Sequence, residues 1–318
     1  MDVTEGKTVA ILCASSRMGQ AQVRELLATG HTPRAISRSG EIFGQEAFRG
    51  TQIVSADFSD VDALTAAFTG ADAIFSAIPS LAGEKMPEYT HNLVEAAKRA
   101  GVRRIVHNSM MWAPDEPCGE PFYDGVLALE DIIAGSGLDV TIFRPVLFMD
   151  NMLTRFAKPN LVSHGLYKYC QKPGMLANWI AMDDVGKFMV AALTRDDLIG
   201  RRIAIGGPER LAVEEVVDIL SDTLGRPITY QYEDPYEWGA RVHGEVGLEA
   251  LMPKDIYANA MGSFYTFNND SPARPFQVDM KALLAEIPLD LVTMREWAQH
   301  QDWSPEAEQK EAIGSLSG

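Results

Sequence analysis

Cysteine is scarce in this chain: three in 318 residues, at Cys13, Cys118 and Cys170. The number is odd and the spacing fits no metal-ligand set, which argues against a disulfide framework and a zinc site. No metal is expected, and the three are read as reduced thiols. Long apolar runs are missing too. Nothing approaches the roughly 20 residues of a membrane span, and the opening MDVTEGK lacks the basic region and apolar core of a signal peptide. A cytoplasmic location is the default that follows. Positive charge is in short supply, 28 Lys and Arg against 44 Asp and Glu, for a net charge of −16. Nucleic-acid backbones and anionic membranes would be repelled at long range, so the expected partner is a small molecule bound by a monomer or homodimer.

What is there is a core: 46% of the residues are hydrophobic. TVAIL, PRAIS, TQIVSA, ADAIFSAI, RRIVHNS and DVTIFRP read as strands, separated by amphipathic patterns expected to be helical near 19–29, 60–69, 85–100 and 123–135. Such alternation predicts an α/β fold, a Rossmann-type doubly wound parallel sheet. The fourth helix is expected to stop in Gly135-Ser136-Gly137, with glycine in a left-handed cap. Residues 1–206 are assigned to this dinucleotide-binding domain, with 151–179 as a ligand-covering excursion rich in Met, aromatic and turn residues. WIAMDDVGKFMVAAL resumes a strand and helix. Residues 207–318 are assigned to a smaller C-terminal substrate lobe with a polar tail, and no repeat is evident.

The first turn of such a fold carries glycines at three-residue spacing, and here two are absent: Cys13, Ser16 and Gly19 occupy the places. The packing glycine, Gly19, remains. Cys13 and Ser16 fit if the turn avoids positive φ, and the Ser16 hydroxyl is then free to bond a phosphate oxygen. Arg38 ends the second strand, where an NAD-specific fold has an acidic residue. A cation there fits a 2′-phosphate and hence NADP(H), though a solvated surface arginine is the other reading. Arg17, inside the turn, is in reach of a phosphate, of adenine or of solvent.

CASSRMG, Arg38, SADFSD with Asp57, and EAAKRAGVRRIVHNS follow one another in an order that resembles the NmrA-like branch of the atypical short-chain dehydrogenase/reductase proteins. SGLDVTIFRPVLFMDN, AMDDVG and IAIGGPERLAVEEVVDIL extend the likeness to about residue 230. The resemblance implies a cofactor site of Cys13, Ser15, Ser16, Arg17, Met18, Gly19 and Arg38. It further implies Asp57 and Phe58 at the adenine, Ala77, Ile78 and Pro79 beside the nicotinamide ribose, and Pro145 and Val146 bordering the nicotinamide. Taken singly, the apolar members equally suit sheet-end packing.

The wider superfamily implies a serine after the fifth strand, then Tyr and Lys four residues apart on one helix face. Ser109 and Tyr123 match, but Leu127 stands at the lysine position. An ammonium there would lower the phenol's pKa; with leucine, Tyr123 is expected to titrate near its ordinary value of about 10. A Tyr123 hydroxyl that donates a proton would make Tyr123→Phe cost about tenfold or more in turnover. His107 shares a strand face with Ser109 and is read either as an acid or as a buried, hydrogen-bonded histidine. Asp124 reads as a first-turn charge. Met111, Trp112, Asn151, His164 and Tyr167, with Tyr169, are candidates to meet substrate or to close the lobe.

Three functions compete. The first is an NADP-dependent oxidoreductase acting on a small apolar or aromatic carbonyl or enone through a non-standard site, Tyr123 without its lysine. The second is a redox-neutral isomerase, lyase or cyclase on the same fold, and the third a non-catalytic NADP-binding regulator.

Overall fold

The computed structural model describes residues 6–38 and 48–304. Seven parallel strands form the central sheet: β1 Thr8–Ile11, β2 Thr32–Ser37, β3 Gln52–Ser55, β4 Ala73–Ser76, β5 Arg104–Asn108, β6 Asp139–Pro145 and β7 Arg202–Ile205. Their spatial order is β7-β6-β5-β4-β1-β2-β3. The order reverses at β1, so the crevice at the carboxyl ends of β1 and β4 is where a doubly wound sheet takes its ligand. Six strands lie where the apolar runs predict them. The seventh, RIAI, is not among the runs read as strands from the sequence.

Helices α1 Arg17–Ala28, α2 Val61–Phe68, α3 Met86–Ala100 and α4 Pro121–Ala134 lie between successive strands. Local chemistry sets their ends. The Ser16 hydroxyl caps α1 by accepting from Gly19 N, and Glu120 caps α4 by accepting from the amides of Phe122 and Tyr123, with Pro121 in the first turn. As expected, α4 stops in Gly135-Ser136-Gly137: Gly135 is right-handed, φ −74°, and Gly137 is the left-handed glycine, φ 77°. One apolar layer, including Val9, Ile11, Leu26, Phe143 and Phe188, packs on one face of the sheet. Another, including Ala10, Ile36, Leu64, Phe68 and Ile142, packs on the other.

The smaller lobe draws on both sides of residue 207. Leu166–Tyr169, within the excursion, pairs in parallel with Thr229–Tyr232, and Leu176–Ala177 pairs antiparallel with Leu211–Ala212. Helices Pro235–Glu245 and Lys254–Asp270 pack on each other beside an aromatic core of Tyr167, Tyr169, Trp179, Trp238 and Tyr265. The chain then returns to the sheet, where Met280 and Leu283 join the layer of Val9 and Phe188. Among the described residues no helix is long and apolar enough to cross a membrane.

Candidate active site

The turn after β1 is built around Gly19. A Cβ there would lie 2.3 Å from the Cys13 carbonyl oxygen and 2.5 Å from Ala14 Cα, so only glycine lets α1 approach the strand. The expectation that the turn avoids positive φ fails: Cys13 itself takes φ 54°. For an L-residue this left-handed conformation costs about 1–2 kcal/mol. It is held by the Cys13 carbonyl, which accepts from Ser16 N at 3.0 Å and from Ser16 Oγ at 2.8 Å. Burial pushes the Cys13 thiol up to about 12, so it stays protonated. The phosphate role expected of the Ser16 hydroxyl is also corrected. Its proton goes to the Cys13 carbonyl while its oxygen accepts from Gly19 N at 3.0 Å, leaving it a cap. Arg17 donates to the carbonyls of Asp150 and Leu153, tying the turn to the segment after β6. Ser15 and Met18 are buried within the turn.

Beside this turn opens a cavity of about 510 Å³. Cys13, Ser15, Arg38, Asp57, Phe58 and Pro79 line it, as do Leu12, Ile36, Ser37, Ala56, Ala82, Lys85, Tyr89 and, from the smaller lobe, Leu251. The size suits one end of a dinucleotide. Two cations, Arg38 and Lys85, stand on its wall in a chain that carries −16 overall. Asp57 accepts from the amide of Ser59 at 2.8 Å and from its hydroxyl, and this hydroxyl bond is the main cause holding its carboxyl below the usual range. Phe58 and Tyr89 stack with ring centres 5.4 Å apart, an aromatic wall for a flat base. Sequence reasoning missed Lys85 and Tyr89. Their i, i+4 spacing across the start of α3 was the available signal.

Ala77 and Ile78 are nearly buried at the end of β4, where the Ala77 carbonyl accepts from the Cys13 thiol. Pro145 and Val146 are buried at the end of β6.

The three expected catalytic side chains are all engaged inside the protein. Tyr123 is fully buried, donates to Asn268 Oδ1 at 2.5 Å, and packs edge-on against Trp112 at 5.1 Å. The expected ordinary pKa is corrected: burial raises this phenol well above it. Ser109 Oγ donates to Glu130 Oε1 at 2.5 Å. Glu130 in turn receives Arg144, through Nη2 at 2.6 Å and Nε at 3.0 Å, in a pair closed to solvent. His107 is buried, shares a hydrogen bond of 2.9 Å with Ser76, and burial lowers its pKa to about 4. It is neutral at physiological pH and poorly placed as an acid. Asp124 accepts from the amides of Cys118 and Gly119, closing the loop before α4.

The substrate candidates are scattered. Met111 and Trp112 are half-buried after β5, and Asn151 donates to the Tyr169 hydroxyl at 3.4 Å. His164 is exposed at the end of Lys158–His164, and Tyr167 lies inside the aromatic core of the lobe. For these two the expected contact with substrate is corrected: one faces solvent, the other is packed against Tyr169 at 5.5 Å.

With that geometry in place, a family model decides the kinship: the description NmrA-like family matches residues 5–298. The chain belongs to the NmrA-like family. Among curated relatives, quinone oxidoreductase 2 of Escherichia coli (strain K12) is 25% identical over 263 residues, covering 80% of this chain and 90% of that one. Among solved structures, an NADPH-dependent quinone oxidoreductase of Escherichia coli complexed with NADPH superposes with a TM-score of 0.71 at 20% identity, covering 92% of this chain and 99% of that one. The Citrobacter sp. triphenylmethane reductase complexed with NADP(H) gives 0.71 at 18% identity, covering 92% and 99%. At these identities the two solved structures share the fold.

Proposed function

We propose that this NmrA-like protein is an NADPH-dependent oxidoreductase whose acceptor is a small conjugated molecule of the quinone type. Its relatives that carry names for quinone and dye reduction support the reaction class. Bound NADPH supplies the hydride. The chain supplies the rest by holding and orienting. The N-terminal end of α1 would face the pyrophosphate, Arg38 and Lys85 would take the 2′-phosphate, and Phe58 with Tyr89 would flank the adenine. Ala77 to Pro79, Pro145 and Val146 line the nicotinamide end, with Met111 and Trp112 on the acceptor side.

The observation that carries the acceptor class is the engagement of Ser109, Tyr123 and His107 with Glu130, Asn268 and Ser76. A quinone that accepts hydride spreads the negative charge over its ring and takes its proton from water. A simple ketone would form a localised alkoxide and need a protein acid. The same observation favours one second reading, a dinucleotide-binding regulator without turnover.

Loss of NADPH absorbance is the test. Naphthoquinones are expected to turn over at least about a hundred times faster than aryl ketones, matching a missing general acid. Arg38→Ala is expected to weaken NADPH about tenfold or more and NADH hardly at all. Binding of NADPH with no acceptor consumed would favour the regulator. Equal effects of Arg38→Ala on both cofactors would remove the 2′-phosphate role.

A further inference from the structure

Among the described residues, every one on the cavity wall comes from positions 12 to 89 except Leu251. Leu251 sits in the connection between helices Pro235–Glu245 and Lys254–Asp270 of the smaller lobe. It is 55% exposed. A single exposed leucine ordinarily means nothing. This one is held in place by a closely bonded turn.

Leu248, 2% exposed, anchors the turn in the lobe and donates its amide to the His243 carbonyl at 3.1 Å. The amides of Leu251 and Met252 both return to the Leu248 carbonyl, at 2.9 and 3.1 Å. Underneath, the His243 imidazole is buried and hydrogen-bonds the Met252 carbonyl at 2.9 Å. Because a carbonyl only accepts, Nε2 carries the proton and the ring is fixed. The turn is therefore ordered from below by His243 and Leu248. Leu251 is its outward residue, at the mouth of a cavity whose other walls are the stacked Phe58 and Tyr89 and the aliphatic Leu12 and Ile36.

We propose that Leu251 caps the adenosine end of the cofactor site, so that the purine is held between the sheet and the smaller lobe. The inference rests on the NADPH reading above and deepens it by adding a residue from the second lobe to the cofactor site. A flat purine fills a slot of this kind by its faces, with its ribose phosphates turned to Arg38 and Lys85. Cofactor binding then presses the turn against its base, and the lobe that covers the acceptor is tied to the occupancy of the far end of the crevice.

The probe is 2′,5′-ADP, the adenosine half of NADPH without its nicotinamide, titrated by calorimetry against the full-length protein and followed by hydrogen exchange. Leu251→Ala is expected to weaken 2′,5′-ADP and NADPH alike, by about five- to tenfold, since roughly three apolar carbons, covered by the ligand on one side only, leave the contact. Leu251→Asp, which sets a carboxylate beside the phosphates, is expected to weaken both further. Ile256→Ala, altering a side chain 57% exposed in the same lobe but off the cavity wall, is expected to leave both unchanged. Amides of residues 248–252 are expected to exchange more slowly when 2′,5′-ADP is bound. A Leu251→Ala protein that binds 2′,5′-ADP within about twofold of the parent, or a turn whose exchange does not change, overturns the cap while leaving the cofactor reading intact. Failure of the unaltered protein to bind 2′,5′-ADP overturns both.

Discussion

At the adenosine end of the crevice Arg38 and Lys85 are exposed on the wall of an open cavity, and Phe58 and Tyr89 present a stacked aromatic face. At the other end Ser109, Tyr123 and His107 are buried and already bonded to Glu130, Asn268 and Ser76. One end keeps its charges where an incoming phosphate reaches them without prior desolvation. The other has each of its three side chains bonded within the fold, the Ser109 and Tyr123 hydroxyl protons being given to Glu130 and Asn268. Buried groups bonded in this way stabilise a unique packing. On the proposed reading, such a protein selects its cofactor by charge and leaves the chemistry to geometry.

The contrast breaks most severely at the turn that joins the two ends. Gly19→Ala places a methyl group 2.3 Å from the Cys13 carbonyl oxygen and 2.5 Å from Ala14 Cα, both backbone atoms that cannot swing aside. The strand and helix must part. A loss of about 3 kcal/mol in unfolding free energy is expected, at the upper end for overpacking, together with loss of NADPH binding. Urea unfolding and fluorescence titration measure the two. A variant that keeps parental stability would show that α1 has room to shift and that Gly19 does not set the turn.

Why the two ends differ in legibility follows from how far each partner lies along the chain. The strands β1 to β6 and helices α1 to α4 were readable because a parallel sheet buried on both faces writes itself as short apolar runs between amphipathic stretches. Arg38 and Asp57 fall at the ends of such runs, so their place beside the cavity could be read by counting. Tyr123 meets Asn268, 145 residues on, and Ser109 meets Glu130, which also binds Arg144. No local pattern carries pairings of that range, and a serine and tyrosine in familiar positions read as catalytic for want of them. Cys13 fails for another reason. Its left-handed φ is imposed by the approach of Gly19, and a tight helix–strand contact overrides the preference of the residue at the turn.

The buried end carries a pH signature of smaller size. His107 has its pKa lowered from 6.5 to about 4 by burial. Above pH 6.5 it is neutral in the folded and unfolded chains alike and adds no pH dependence. Between 6.5 and about 4 the unfolded chain binds a proton here that the folded chain refuses, so stability falls as pH falls, by about 1.4 kcal/mol per unit at most. Asp150 acts in the opposite sense. Burial raises its carboxyl from 3.8 to about 6, so over that window the folded chain holds the extra proton and stability falls as pH rises. The two slopes oppose each other between about pH 4 and 6. His107→Asn is expected to remove one of them, making the variant gain on the parent as pH drops from 7 to 4.5 in urea unfolding. A difference between variant and parent that stays constant over that range would mean that the imidazole reaches water.

The smallest expected effect is also the one that decides between the two ends as seats of chemistry. Tyr123→Phe removes a hydroxyl whose proton is given to Asn268 Oδ1 and whose ring stays packed against Trp112, Phe264 and Phe267. Stability is expected to fall by about 1–2 kcal/mol, because the Asn268 oxygen loses a buried partner while the apolar packing survives. Asn268 keeps its other bond, donating to the Phe264 carbonyl of its own helix at 2.6 Å, so its side chain stays oriented. Turnover of a quinone with NADPH is expected to stay within about twofold of the parent, against the hundredfold or more that a lost general acid typically costs. A fall of tenfold or more, with NADPH affinity and folding unchanged, would put the Tyr123 proton in the reaction. It would also mean that the bond to Asn268 opens when the acceptor binds, and the nicotinamide end would then join the adenosine end as a place where side chains are held ready for a ligand.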